Sequence, residues 1–173
     1  MTRYARFDSP LGPMLVTAED DGITEVNFVD AKYTRPVQPG WVEDPEAPAL
    51  AECRKQLLEY FAGKRTDFDL PLASRGTEFQ QRVWKEIARV RFGETITYGE
   101  LANRAGTPGH ARAAGAATGR NPVGVVIPCH RIVGSDGSLT GYAGGLERKR
   151  ELLELEGARC MSPAPEGIPG SLV

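Results

Sequence analysis

The sequence predicts an α+β protein: a small N-terminal antiparallel sheet with helix, followed by a mostly helical C-terminal domain containing a helix-turn-helix. Three observations carry this. Strand candidates at hairpin spacing are confined to the first 30 residues, a Pro-rich break separates them from one amphipathic helix, and from Thr77 onward capped helices alternate with Gly and Pro punctuation. The boundaries that follow are 1–76 for the N-terminal α/β domain with its loop and linker, 77–160 for the second domain, and 161–173 for a tail.

Taken in order, Tyr4 to Phe7, Met14 to Thr17 and Ile23 to Val29 are the strands, joined by Pro10-Leu11-Gly12-Pro13 and by Asp20-Asp21-Gly22, whose Asp-Gly pair signals a tight hairpin. Residues 30–48 carry Pro36, Pro39, Pro45 and Pro48 and read as a loop. Ala49 to Phe61 is a helix with Leu50, Cys53, Leu57 and Phe61 on one face, which makes Cys53 a core residue, and Gly63 ends it. Thr77-Glu78-Phe79-Gln80 is a capping box, and Phe79, Val83, Trp84, Ile87 and Val90 follow as an apolar stripe. Thr97-Tyr98-Gly99-Glu100 is a second box, opening a helix that stops near Gly106. Thr107-Pro108 opens the next, with Pro at its first position, and Gly119 stops it. A last helix spans about Leu146 to Glu156. The tail, with three prolines and two glycines between Ser162 and Val173, is expected to be disordered.

Composition narrows the function classes. The chain has 173 residues, 40% hydrophobic and 25% charged, with no apolar run long enough for a bilayer and no secretory leader pattern at Met1 to Asp8, so a cytoplasmic protein is expected. Three scattered cysteines, Cys53, Cys129 and Cys160, suit a reducing compartment rather than a disulfide framework. With only two histidines, His110 and His130, no metal site is expected. The net charge of −2 hides an asymmetry: Thr77 to Arg131 holds eight Lys or Arg against four Glu, a local +4 that leaves −6 for the remainder. Either a basic patch meets a polyanion over a small area, or Arg104, Arg112, Arg120 and Arg131, the only charged residues from Leu101 to Ser135, form an ordinary solvated face.

The two helices joined across Gly106-Thr107 read as a helix-turn-helix. The second is nearly all small residues around Arg112 (His110-Ala111-Arg112-Ala113-Ala114-Gly115-Ala116-Ala117) and has little with which to read base edges in a major groove. It suits either a minor groove with Arg112 projecting into it, or helix packing through alanines with Arg112 at the rim. The chemistry concentrates in Asn121-Pro122-Val123-Gly124-Val125-Val126-Ile127-Pro128-Cys129-His130-Arg131. A cysteine is only a few per cent thiolate at neutral pH, so a nucleophilic one needs a base or a positive field, and His130 and Arg131 are adjacent. Side chains of neighbours in a strand diverge, so a Cys129–His130 pair requires irregular backbone, which Pro128 favours. The other reading is an inert buried cysteine beside a solvent-facing histidine.

Pro128-Cys129-His130-Arg131 resembles the active-site motif of the O6-alkylguanine-DNA alkyltransferases. The likeness extends over about 77–157 through Phe79-Gln80-Gln81-Arg82-Val83-Trp84, Gly93-Glu94-Thr95-Ile96-Thr97-Tyr98, Ala111-Arg112-Ala113, Asn121-Pro122-Val123, Gly141-Tyr142-Ala143-Gly144-Gly145 and Leu155-Glu156-Gly157. The resemblance implies a ribonuclease-H-like N-terminal domain and single-turnover transfer of an alkyl group from O6-alkylguanine, and from O4-alkylthymine, in double-stranded DNA. It implies no cofactor, no membrane, and a monomer in solution with cooperative loading on DNA left open. Cys129 would accept the alkyl group. His130 would take its proton through a water, and Glu156 would orient and charge the imidazole. Asn121 would brace the turn, and Tyr98 would help rotate the base and protonate the departing guanine. Arg112 would fill the vacated stack, with Ala111, Ala113, Thr107 and Arg120 at the DNA surface. Tyr142, Ala143, Gly144 and Gly145 would line the alkyl pocket. Ala143 stands where some members have Ser, and the zinc ligands of some members are missing from the N-terminal half. The rival readings are a recognition module that binds the alkylated base without catalysis, a methylation-sensing transcription activator, and a Cys-His hydrolase. An acceptor cysteine argues against the first, and the lack of a cysteine-rich metal domain against the second. Multiple turnovers on an ester would mark the third.

Overall fold

A computed structural model describes residues 1–158, which form two units: Met1–Arg75 together with Pro122–Val126, and Gly76–Asn121 together with the chain from Ile127 onward. The tail 161–173 and Cys160 lie outside the described residues. The units thus differ from the sequence boundaries in one respect, since five residues between the helix pair and Cys129 belong with the N-terminal sheet.

In the first unit, β1 (Arg3–Ser9), β2 (Gly12–Glu19) and β3 (Gly22–Phe28) form an antiparallel meander, and β4 (Val42–Glu43) adds parallel to β1, giving the order β3-β2-β1-β4. The two-residue β4 lies inside the expected loop, too short to show alternation. The β2–β3 register shifts between Thr17 and Ala18, so that Ile23 faces Ala18 and Glu25 faces Thr17. This bulge explains why Ile23 and Val26, out of phase for a regular strand, are both fully buried. The hairpin falls where the Asp-Gly pair predicts it, but Gly22 begins β3 rather than completing the turn. It has φ +141, and a Cβ there would lie 2.5 Å from the Pro71 carbonyl oxygen. That carbonyl accepts from the Ile23 N–H at 2.8 Å. Further along β3, the Val26 N–H donates to Pro122 at 2.9 Å and the Gly124 N–H to Val26 at 2.8 Å. Two short segments therefore occupy main-chain groups that an open sheet edge would expose.

Helix α1 (Pro48–Phe61) packs on β1, β2 and β3 through Leu50, Cys53, Gln56, Leu57 and Tyr60. Tyr60, rather than the expected Phe61, completes the buried face; Phe61 is half-buried, edge-on to Tyr60. Gly63 (φ +75) closes the helix, its N–H bonded to Tyr60 and the Lys64 N–H to Glu59. Burial pushes the Cys53 thiol up to about 12, which leaves it an unreactive core residue.

In the second unit, α2 (Glu78–Ala88) starts with the expected capping box, both halves formed at 3.0 and 3.1 Å. Its Trp84 ring is covered by Gly76, where a Cβ would come within 2.4 Å, and its indole N–H donates to Ala117 at 2.8 Å. Strand β5 (Ile96–Thr97) leads directly into α3 (Tyr98–Arg104). The second capping box is half formed. Thr97 accepts from the Glu100 N–H at 3.1 Å, but the Glu100 carboxylate turns to Arg104 in an i,i+4 ion pair at 3.0 Å. Helix α4 is Ala111–Gly119, three residues shorter at its start than Thr107-Pro108 predicts. Gly109 has φ +82, and the His110 N–H bonds the Thr107 carbonyl at 3.1 Å, so Pro108-Gly109 form the centre of a β-turn that no helix can include. Gly119 is the last residue of α4. α3 and α4 pack on each other and on α2. Strand β6 (Ile132–Val133) pairs parallel with β5, and α5 (Leu146–Leu155) follows. No helix among the described residues is long and apolar enough to cross a membrane.

Candidate active site

The site is assembled by irregular backbone on one side and the β5–β6 pair on the other. Pro128 (φ −82, ψ 64) closes a tight turn in which the Cys129 N–H bonds the Ile127 carbonyl at 2.8 Å, and Cys129–Arg131 then form a single 3₁₀ turn. Three consecutive functional side chains are thereby fanned around one turn instead of alternating across a strand. β6 follows this turn and β5 precedes Tyr98, so the Ile96–Ile132 and Thr97–Val133 register brings Tyr98 to the cysteine. The proximity is enough for charge on Cys129 to disfavour ionisation of the phenol.

Cys129 is 7% exposed and His130 fully buried, which excludes a solvent-facing histidine. The His130 Nε2 lies 2.8 Å from Glu156 Oε2, while Nδ1 has no hydrogen-bond partner among the described residues. Arg131 turns inward as well. Its Nε and Nη2 grip Glu156 Oε1 and Oε2, each at 2.8 Å, and its Nη1 donates to the Val90 carbonyl at 2.6 Å. Burial depresses the His130 pKa below 6.5, against the pull of Glu156, so the imidazole is a neutral base rather than a preformed cation. Glu156 acts toward the protonated ring, the sense that the resemblance implies, and in the resting protein burial outweighs it. Burial likewise raises the Cys129 thiol, opposed by the Asn121 amide and the Lys149 ammonium. The Asn121 amide also donates to the Ile127 carbonyl at 2.8 Å, bridging the two ends of the 122–126 segment.

Lys149 is the residue that sequence reasoning missed. It is fully buried, and its Nζ donates to the carbonyls of Ile132, Thr140 and Gly141 at 2.6, 3.1 and 3.4 Å. The signal was its position between Leu146 and Leu152-Leu153 on the apolar stripe of α5, a place where a lysine needs buried partners. Of the remaining expected residues, Tyr142, Ala143 and Gly144 are half-buried in a turn closed by the Gly145 N–H on Tyr142 at 2.9 Å, and Gly145 itself is exposed. On α4, Arg112, Ala113 and Ala116 are exposed and Ala111 half-exposed, while Ala114 and Ala117 are buried. The alanines therefore serve both surfaces, one packing inward and one leaving a low outer face around Arg112. Arg120 is exposed, and Thr107 is half-buried with its hydroxyl on the Ala102 carbonyl at 3.3 Å.

Fold and site define a class, a mixed α+β protein centred on one cysteine with a buried histidine–glutamate pair behind it. The chain belongs to the 6-O-methylguanine DNA methyltransferase family: residues 2–74 match its ribonuclease-like domain and residues 78–158 its DNA binding domain. It is 48% identical over 164 residues to the methylated-DNA–protein-cysteine methyltransferase of Mycolicibacterium paratuberculosis, covering 95% of this chain and 96% of that one. The methyltransferase of the same name from Methanosarcina acetivorans is 46% identical over 155 residues, covering 90% and 98%. Among solved structures, Mycobacterium tuberculosis OGT in complex with DNA superposes with a TM-score of 0.82 at 44% identity, over 90% of this chain and 92% of that one.

Proposed function

We propose that this protein reverses DNA alkylation in the cytoplasm by moving the alkyl group of O6-alkylguanine, and of O4-alkylthymine, onto Cys129 once per molecule. The observation that carries the reading is the buried order Cys129, His130, Glu156, with His130 Nδ1 unpartnered among the described residues and Nε2 committed to the carboxylate. A neutral imidazole so held accepts the thiol proton, through one water, as the sulfur attacks. Attack on a saturated carbon suits a soft thiolate, and the thioether product has no hydrolytic route back, so turnover stops at one. The α3–α4 pair acts as a helix-turn-helix in the minor groove, and the lesion is flipped out of the stack at a cost of a few kcal/mol. Arg112 fills the gap, and Tyr98 protonates the departing guanine. Ala111, Ala113, Thr107 and Arg120 meet the DNA, and Tyr142 to Gly145 line the alkyl pocket.

The test is mass spectrometry after incubation with excess O6-methylguanine duplex. One methyl per protein, on the peptide holding Cys129, is expected, and Cys129→Ser should bind DNA without transfer. Label on Cys53 or Cys160, or repeated turnover, would overturn the assignment.

A further inference from the structure

We propose that Thr140 is a positioning residue for Tyr98, its hydroxyl facing the phenol so as to receive the phenolate formed when Tyr98 gives up its proton. This rests on the reading above, in which Tyr98 protonates the departing guanine.

Thr140 is 2% exposed, and its Oγ1 is a buried hydroxyl with no close hydrogen-bond partner among the described residues. Leaving such a group unpaired is unfavourable, so the Tyr98 phenol, whose ionisation Thr140 eases, is its natural partner. Its orientation is fixed from two sides. The Thr140 carbonyl accepts from the Lys149 ammonium at 3.1 Å, and its methyl packs over Gly134, where a Cβ would lie only 3.1 Å away. A β-branched side chain gripped in this way has little rotamer freedom, so the hydroxyl is aimed. Thr140 and Tyr98 share a neighbour, since the same Lys149 ammonium sits 5.8 Å from the centre of the Tyr98 ring. Burial and the charge on Cys129 both make the buried phenol harder to ionise, and Thr140 works in the opposite direction.

The step balances without a co-reactant. As the bond from Cys129 Sγ to the alkyl carbon forms and the carbon–O6 bond breaks, the bonding pair moves into guanine, which takes the Tyr98 proton. The phenolate accepts a hydrogen bond from the Thr140 hydroxyl with the Lys149 ammonium nearby. The proton that Cys129 gave to His130 later restores the phenol through solvent.

Single-turnover methyl transfer would be measured for Thr140→Val, which keeps the shape and loses the hydroxyl, and for Thr140→Ser, which does the reverse, each alone and in a Tyr98→Phe background. A lost hydrogen bond predicts valine slower by about 3- to 10-fold and serine within about twofold of wild type. The valine change should add no further loss once Tyr98 is phenylalanine. Should valine prevent folding, as melting would show, Thr140→Ala takes its place in the cycle. Equal losses for serine and valine, additive losses in the double variant, or an inert Tyr98→Phe would overturn the role of Thr140. A wild-type protein that leaves Cys129 unmethylated would instead overturn the proposed function, and this inference with it.

Discussion

Arg131 holds Glu156 in a two-point grip, Nε on Oε1 and Nη2 on Oε2, both at 2.8 Å, and the second of those oxygens is the one that meets His130. The guanidinium is fixed in turn by the Val90 carbonyl. A carboxylate that could otherwise rotate is thereby aimed at one imidazole nitrogen, which leaves Nδ1 without a hydrogen-bond partner among the described residues.

Arg131→Lys tests that grip. A single ammonium cannot reproduce a planar fork, so one of the two buried, charged hydrogen bonds to the carboxylate is lost. Stability to urea should fall by about 1–3 kcal/mol. Transfer should slow by about tenfold, the equivalent of ~1.4 kcal/mol in the barrier. A variant with wild-type stability and rate would show that the fork is dispensable.

The depressed pKa of His130 has a pH consequence of definite sign. Below 6.5 the unfolded chain takes up a proton that the folded protein refuses until lower pH, so stability contributed by the neutral ring is present above 6.5 and lost as pH falls below it. Glu156 pulls the other way, making the ring a better base. Glu156→Gln should therefore weaken the base, slow transfer and move the reaction of Cys129 with a small alkylating reagent to higher pH, with DNA affinity unchanged. An unaltered pH profile would assign Glu156 a structural role only.

What the sequence made legible is what depends on near neighbours. The three strands, the capping box at Thr77, the stripe through Trp84 and the end of α1 at Gly63 each rest on residues within a turn or two. The start of α4 was misplaced because Pro108 satisfies a helix start and a turn equally well, and Gly109, with its positive φ, decides between them. The inward turn of Arg131, the burial of Lys149 and the departure of residues 122–126 to the sheet depend on partners 17 to 96 positions away, among them Ile132 for Lys149, Glu156 for Arg131 and Val26 for Pro122. A charged residue in a polar run reads as solvated until its partner is known. The roles of Cys129, His130 and Glu156 came from family resemblance, since the local sequence alone allowed an inert cysteine.

Asn121 joins structure to reactivity in one side chain. Its amide bridges to Ile127 at 2.8 Å and also favours the Cys129 thiolate. Asn121→Ala should cost about 1 kcal/mol of stability, the loss of one buried hydrogen bond to a carbonyl that keeps the Cys129 N–H. It should also shift the alkylation of Cys129 by a small reagent to higher pH. Loss of stability without that shift would confine Asn121 to bracing the turn.

Arg112 rises from the outer face of α4 between alanines too short to reach a base, with Ala113 and Ala116 exposed beside it. A phosphate contact would use its charge, mainly in affinity, and Arg112→Lys would preserve it. A wedge in the base stack would use the stem and planar head, and lysine would not replace them. The prediction is that Arg112→Ala strongly slows repair of O6-methylguanine in a duplex and slows it less in a single strand, where unstacking costs less. The salt dependence of binding should change by about one phosphate contact or less. Single-turnover rates on matched duplex and single-stranded oligonucleotides decide the matter: equal losses on both would withdraw the wedge and leave Arg112 a surface cation.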